Sequence, residues 1–183
     1  MKKSILIPAI LIATPILVWS QTGGTPYAGQ EARRIKSLSD AEVEDYMKGR
    51  GMGLAKPAEL NSYPGPMHVL ELAERLGLSG EQRAETQKIF AQMRVEAVRL
   101  GGLIVEREAG LNRLFAEGRV TAADLQRHVG EIARLQGELR VVHLRAHLEM
   151  KRVLTPQQIK TYDELRGYGK KEGEHRHKQH GHS

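Results

Sequence analysis

The chain contains no cysteine, only 4% aromatic residues and a single tryptophan. The lack of cysteine excludes disulfide bonds, thiolate catalysis and thiolate metal sites. The few aromatic residues, set against plentiful Leu, Ala, Glu, Arg and Gln, are typical of helices that pack through aliphatic stripes. Arginines do not cluster with aromatic residues, and 28 Lys and Arg against 22 Asp and Glu make the chain only mildly basic. We therefore expect no nucleic-acid partner.

Catalytic motifs are missing as well. The sequence has no nucleophile-elbow glycines around a serine, no His-Glu-x-x-His and no phosphate-cradling loop. Residues 49–53 read Gly-Arg-Gly-Met-Gly, but they follow a predicted helix rather than a strand, which excludes a dinucleotide-binding motif. Glu106 and Glu108 are two residues apart on a predicted helix, so their carboxylates face different directions. We expect a protein that is not an enzyme and requires no cofactor.

The one long apolar run lies at the N-terminus. Lys2 and Lys3 precede a nearly continuous apolar stretch, Ile5 to Trp19, and a small residue, Ser20, follows it. This order is typical of a secretory signal peptide, and the run is short of the roughly 20 residues that span a bilayer. The alternative is an uncleaved membrane anchor. We expect residues 1–20 to be removed and the remaining chain to be exported.

Capping signals and heptad-like spacing predict an all-α fold. Apolar residues recur at steps of three and four from Phe90 to Leu114 and again from Leu125 to Val153, and the short turn between these helices predicts antiparallel packing. The pair Gly101-Gly102 costs about 1 kcal/mol per glycine in a helix, so we expect a bend there or the close approach of another helix. The predicted helices span residues 39–48, 67–76, 79–117, 122–153 and 156–166.

The rest of the chain divides by composition. Residues 21–65 are predicted to be an N-terminal mobile segment with a short helix and a connection rich in Gly and Pro. That connection carries Met52, Leu54, Leu60 and Tyr63, so we expect it to lie ordered on the helical body. Residues 66–168 are the predicted helical domain, and residues 169–183, rich in Lys, His and Gly, are a predicted disordered tail.

A five-residue pattern, Leu-[Ser/Thr]-x-x-Gln, occurs twice, each time at the start of a predicted helix. In this pattern the hydroxyl accepts from a backbone N–H one turn on and the Gln side chain reaches back, which forms a capping box. In the second copy Pro156 stands at the first helical position, where its missing N–H costs nothing. The residues of the two copies are Leu78, Ser79 and Gln82, and Leu154, Thr155 and Gln158.

With a predicted signal peptide before them and a long hairpin between them, these boxes make residues 66–166 resemble the LTxxQ family of periplasmic proteins. That family includes the Spy/CpxP-type chaperones and heavy-metal sensor and resistance proteins. The resemblance implies a long antiparallel helical hairpin with short flanking helices that pairs into a cradle-like homodimer in the periplasm. It also implies an ATP-independent holdase for unfolded or misfolded envelope proteins under envelope or metal stress. Residues 52–66 fall outside the family pattern and mark a subgroup.

The resemblance places client binding on the concave face of such a cradle. A thin pair of helices cannot bury both faces, so apolar side chains off the main stripe stay available beside flexible cations, and such a surface holds many sequences weakly. The alternative is that these aliphatic side chains pack against the terminal helices or a second subunit. The candidate surface consists of Arg94, Val95, Arg99, Leu103, Arg107, Arg140, Leu144, Arg145 and Leu148.

Two histidines in the last long helix are candidate metal ligands. His143 and His147 are four residues apart, which puts their side chains about 6 Å apart on one face, a spacing that suits Zn²⁺, Cu²⁺ or Ni²⁺. The resemblance adds that metal-sensing relatives use His-x-x-x-His on a helix, with Glu149, His68 and Met150 as further candidate ligands here. The alternative is a pair of interfacial histidines that hydrogen-bond at a helix contact.

A second group of histidines lies in the predicted tail. A His-rich tract of this kind can bind a borderline divalent cation, and the alternative is a solvated polar tail. The alternative function is therefore a periplasmic heavy-metal-binding sensor or resistance protein, whose partner would be a membrane sensor kinase or a sigma-factor regulator. The tail histidines are His175, His177, His180 and His182.

Overall fold

The computed structural model describes residues 25–168, which belong to two compact units. Of the first unit it describes residues 25–31, a pair of turns in which the Gln30 side chain donates to the carbonyl oxygen of Pro26 at 3.0 Å. The second unit begins at Ala32. The signal peptide predicted at residues 1–20 and the tail histidines predicted as ligands lie outside the described residues. Within the described part, no helix is long and apolar enough to cross a bilayer.

The regular secondary structure of residues 25–168 is helical, which confirms the all-α prediction. An isolated antiparallel bridge joins Ile35 to Leu38. The helices are α1 (Asp40–Lys48), α2 (Lys56–Glu59), α3 (Pro66–Glu71), α4 (Gly80–Ala116), α5 (Ala122–Val153) and α6 (Pro156–Arg166).

Capping boxes begin four of these helices. In each box the hydroxyl accepts from the backbone N–H three residues on, and that residue's side chain accepts from the backbone N–H of the cap. Such a cap stabilises the protein by about 1 kcal/mol. Each was visible in the sequence as Ser or Thr with an acidic residue or Gln three positions later. The predicted and observed ends of these four helices therefore agree within one residue. The caps are Ser39, Ser79, Thr121 and Thr155.

The two shortest helices differ from the prediction. Helix α3 ends at Glu71, because Leu72 leaves helical geometry with φ of −99° and ψ of 9°. The chain continues as turns to Gly77. Helix α2 was not predicted, since four residues are too few to show periodicity. It lies inside the connection that the sequence marked only by its glycines and prolines.

Helices α4 and α5 pack along one another in opposite chain directions. Gln82, near the start of α4, donates to the carbonyl oxygen of Val153 at the end of α5. Further along α4, Arg107 pairs with Glu131, near the start of α5. Between these points lies a buried cluster formed by Ala97, Leu100, Ile104, Leu135 and Leu139.

A second buried cluster joins the start of α4 and the end of α5 to α3 and α6. It includes Val69, Ile89, Met150 and Tyr162, of which all but Ile89 are completely buried. The predicted stripes supply all five residues of the first cluster, but only Ala146 and Met150 of the eight residues of the second. At the start of α5 the stripe faces solvent, since Leu125 and Val129 are 42% and 48% exposed.

Candidate functional site

The connection between α1 and α3, here called the connecting segment (residues 49–65), has an unusual backbone. Gly49, Met52, Gly53 and Ser62 all have φ between +45° and +77°. Glycine tolerates this left-handed region, but Met52 and Ser62 carry a β-carbon that makes it unfavourable. Contacts with the helices must therefore hold the segment in this shape.

Helices α5 and α6 supply those contacts. The Lys151 ammonium donates to the carbonyl oxygen of Ser62 at 2.7 Å and lies 4.5 Å from the ring centroid of Tyr63. The Ser62 hydroxyl donates to Asp163 Oδ2 at 2.5 Å. Nδ1 of His147 is 2.7 Å from the carbonyl oxygen of Tyr63. These bonds confirm the expectation that the segment lies on the helical body.

A largely buried carboxylate, Glu59 on α2 within the connecting segment, is the centre of a polar network. Its Oε1 accepts from the Tyr162 hydroxyl at 2.6 Å and from the Tyr168 hydroxyl at 3.2 Å, and Arg166 Nε lies 3.5 Å away. Burial raises the pKa of Tyr162, and the bond to Glu59 raises it further, so the phenol keeps its proton and donates. The other oxygen of Glu59, Oε2, is buried without a hydrogen-bond partner.

The two predicted histidines lie side by side beneath the same segment, 4% and 8% exposed. His147 donates its Nδ1 proton to the Tyr63 carbonyl oxygen, which leaves a lone pair on Nε2 when the ring is neutral. Nε2 of His143 is buried and has no hydrogen-bond partner. Burial lowers the pKa of His143, and the neighbouring charge of His147 lowers it further. His143 is therefore neutral near pH 7.

Gly65 leaves a small space between a histidine and the buried carboxylate. A β-carbon at this position would lie 3.2 Å from His147 Nε2 and 3.4 Å from Glu59 Oε2. The glycine thus leaves a point that is close to both a histidine nitrogen and an unpartnered carboxylate oxygen. Sequence reasoning missed Glu59, because nothing in its local sequence separates it from a surface glutamate and its partners lie about 100 residues away.

The other residues suggested as ligands from the sequence have different surroundings. Met150 is completely buried in the second cluster, and His68 Nδ1 bonds to Glu71 Oε2 at 2.8 Å. Glu149 is half-buried on α5. Within residues 25–168, no three side chains of His, Cys, Asp or Glu come together closely enough to form a metal-holding group.

A cleft of about 870 Å³ lies between the connecting segment and the two long helices. Its walls are largely apolar and carry five cationic side chains but only one carboxylate, Glu59. The cations are Lys48, Arg50, Lys56, Arg94 and Arg166, and the apolar side chains are Met52, Ala55, Leu60, Pro66, Met67, Phe90 and Met93. His68, His143, His147 and Tyr168 complete the polar lining.

The nine residues predicted as a client surface do not share one face. Arg94 lines the cleft, whereas Leu103 packs against the α4–α5 core. Arg107 is bound to Glu131 at 2.6 Å across the two helices, and Arg99 is bound to Glu96 on its own helix. Val95 is 67% exposed on the side of α4 that faces away from α5.

Three aliphatic residues on α5 form an exposed stripe, in which Val141 and Leu148 are exposed and Leu144 is half-buried. Val141, Leu144 and Leu148 fall within roughly 60° of one another at 100° per residue, and Val141 and Leu148 are 51% and 53% exposed. Arg140 and Arg145 flank the stripe and form no ion pair with residues 25–168. Sequence reasoning found four of these five residues. It missed Val141. This residue lies three positions before Leu144 and seven before Leu148, a spacing that places all three on one face of a helix.

The two copies of the Leu-[Ser/Thr]-x-x-Gln pattern meet in space. The Gln82 amide donates to Gln158 Oε1 at 2.9 Å, and the Gln158 amide donates to Gln82 Oε1 at 3.0 Å. Each acceptor oxygen also closes its own capping box. Leu78 and Leu154 pack in the second buried cluster. The pattern therefore fixes the start of α4 to the start of α6.

The chain was compared with known proteins at three levels. No protein-family model, no curated protein and no solved structure matches it.

Proposed function

We propose that this protein is an ATP-independent holdase of the Spy/CpxP type that binds unfolded segments of envelope proteins in the periplasm. The observation that carries the proposal is the exposed stripe of Val141, Leu144 and Leu148 between Arg140 and Arg145. An aliphatic surface between cations attracts acidic segments at long range and holds apolar ones on contact. Such binding needs no nucleotide.

The holdase surface belongs, in this proposal, to a cradle-like homodimer of antiparallel helical hairpins. Support comes from the end of the hairpin formed by α4 and α5, where Phe115, Leu125 and Val129 are 57%, 42% and 48% exposed. Large apolar side chains grouped in this way are typical of an interface. We expect light scattering to give a dimer and Phe115→Ser with Val129→Ser to give a monomer. A monomeric wild-type chain would contradict the cradle.

Client binding is tested by the aggregation of a heat-unfolding client protein, in chelator and without nucleotide. We expect near-stoichiometric amounts of this chain to suppress the scattering signal. Val141→Ser with Leu148→Ser should remove most of the protection. The matched control is Met47→Ser, which changes a side chain that is also about half exposed, at 52%, but lies on α1. Equal protection by both variants would contradict a role for the stripe.

A second candidate function is metal sensing or resistance, which the space at Gly65 favours. The residues fit a divalent ion such as Zn²⁺, Cu²⁺ or Ni²⁺ in part. His147 donates Nδ1–H to a carbonyl oxygen, as metal-binding histidines usually do, and Glu59 Oε2 and His143 Nε2 lack partners. His147 and Glu59 would hold the ion and tie α5 to the connecting segment. A membrane sensor kinase or sigma-factor regulator would respond to the altered contact between α5 and the connecting segment.

Metal titration of variants distinguishes metal binding at the Gly65 space from metal binding by the tail histidines. We expect His147→Ala to weaken binding of the ion at least tenfold with helicity unchanged. Replacing His175, His177, His180 and His182 with alanine should leave the site at Gly65 intact. If the tail variant loses all binding and His147→Ala loses none, the site at Gly65 is not a metal site.

A further inference from the structure

The cleft beneath the connecting segment has the dimensions of a small-molecule site. Its volume of about 870 Å³ lies in the usual range of roughly 300–1,000 Å³ for ligand pockets. Its walls include Phe90 and Met93 on α4, His143 on α5, and Met52 on the connecting segment. The left-handed backbone of Met52, with φ of 45°, is held where this side chain lines the cleft.

The charge of the cleft favours an anion. Five of its lining residues are cationic and one is acidic. The acidic residue, Glu59, accepts from Tyr162 and Tyr168 through Oε1, and the Arg166 guanidinium beside that oxygen offsets its negative charge. Lys56 and Arg94 form no ion pair with any residue from 25 to 168. They are the cations that a negatively charged group would meet.

The polar lining includes a buried group that lacks a partner. His143 is 4% exposed, and its Nε2 makes no hydrogen bond within the described residues. A buried polar atom without a partner is uncommon and points to an absent water, ion or ligand. A neutral imidazole can donate one hydrogen bond to a carboxylate without placing a second charge in the cleft.

The remaining lining suits an aliphatic body. Met52, Met67 and Met93 are flexible, polarisable side chains that adapt to ligands of different shapes. We propose that the cleft binds a small aliphatic carboxylate, with its chain along these methionines and its charged group among the cations of the wall. The site is independent of client binding, because Val141, Leu144 and Leu148 do not line the cleft.

Isothermal titration of the full chain in chelator tests the proposal. The probe is octanoate, which stays monomeric at millimolar concentration, and the comparison ligands are octanol and octylammonium. We expect saturable one-to-one binding of octanoate, at least tenfold weaker binding of octanol, and no binding of octylammonium. Equal binding of octanoate and octanol, or no octanoate binding at millimolar concentration, would overturn the proposal.

Two arginine variants test whether octanoate binds in the cleft. Arg94→Gln should weaken octanoate binding at least fivefold, whereas Arg134→Gln should leave it unchanged, because Arg134 pairs with Glu138 outside the cleft. Both arginines are exposed, so neither change should unfold the chain. In NMR spectra, octanoate should shift the ring protons of His143 but not those of His128. An equal effect of the two variants, or shifts at both histidines, would overturn the cleft as the site.

Discussion

Gly101 of α4 lies directly against the backbone of Tyr46 in α1. A β-carbon on Gly101 would collide with the Tyr46 carbonyl group, whereas the space beside Gly102 is open. Helix α4 runs on through both glycines. Of the two roles expected for the glycine pair, a bend or a close approach, the contact shows that Gly101 serves the close approach.

Alanine at these two positions should therefore have opposite effects. Gly101→Ala forces the backbone of α1 away from α4, and overpacking of this kind costs about 1–3 kcal/mol. Gly102→Ala removes only the conformational freedom of glycine, so it should stabilise the protein by about 0.5–1 kcal/mol. Urea unfolding followed by circular dichroism measures both. Destabilisation of the same size in both variants would contradict the contact.

The paired amides of Gln82 and Gln158 should be energetically coupled. Each glutamine closes its own capping box and donates to the other, so we expect Gln82→Ala and Gln158→Ala each to cost about 1–2 kcal/mol. The double variant should lose less than the sum, with a coupling of about 0.5–3 kcal/mol. Gln157→Ala, an exposed neighbour, is the control and should stay near wild type. Additive losses would show that the boxes act separately.

The Tyr162 hydroxyl should matter more than the Tyr168 hydroxyl. Tyr162 is completely buried and donates to Glu59 at 2.6 Å, while Tyr168 is partly exposed and lies at 3.2 Å. Tyr162→Phe leaves a buried carboxylate short of a donor, which costs about 1–3 kcal/mol. Tyr168→Phe should cost less. Thermal unfolding of the two variants at pH 7 gives the comparison, and the reverse order would contradict the network.

Stability should decline as the pH falls through the range where histidine titrates. Burial places the folded-state pKa of His143 below its ordinary value of 6.5, so the unfolded chain takes up this proton first. The contribution of His143 is therefore constant above about pH 7.5 and is lost as the pH falls through 6.5 towards the lower folded pKa. Urea midpoints in chelator should be lower at pH 5.5 than at pH 7.5. His143→Leu should reduce that difference, and a difference of the same size in the variant would contradict the assignment.

Local signals in the sequence were enough to place the helices. Ser39, Ser79, Thr121 and Thr155 each satisfy backbone donors within one turn, so the chemistry that begins a helix is written in adjacent residues. The stripes of α4 and α5 were equally visible, because burial on one face repeats with the helical period. The same rules failed for α2, which is too short to repeat.

The sequence revealed only part of the candidate site. His143 and His147 stood out because four-residue spacing on a helix brings side chains together. Glu59 did not, since its partners come from the other end of the described chain. Sequence reasoning also joined nine residues into one client surface. The structure distributes them among the cleft, the α4–α5 core, ion pairs within and between helices and the exposed stripe, because two-helix packing turns each position toward a different neighbour.

The amino-acid sequence alone determined that this chain is helical, where its long helices begin and which stripes they bury, because capping and periodicity act over a few residues. Only the tertiary structure decided that residues 49–65 cover two histidines and enclose a cationic, methionine-lined cleft. Those contacts join positions far apart in the chain, and each depends on how whole helices pack. In the sequence, a glycine such as Gly65 or Gly101 suggests only a position that disfavours helix. In the folded structure, each is a point of close approach to a neighbouring backbone or side chain.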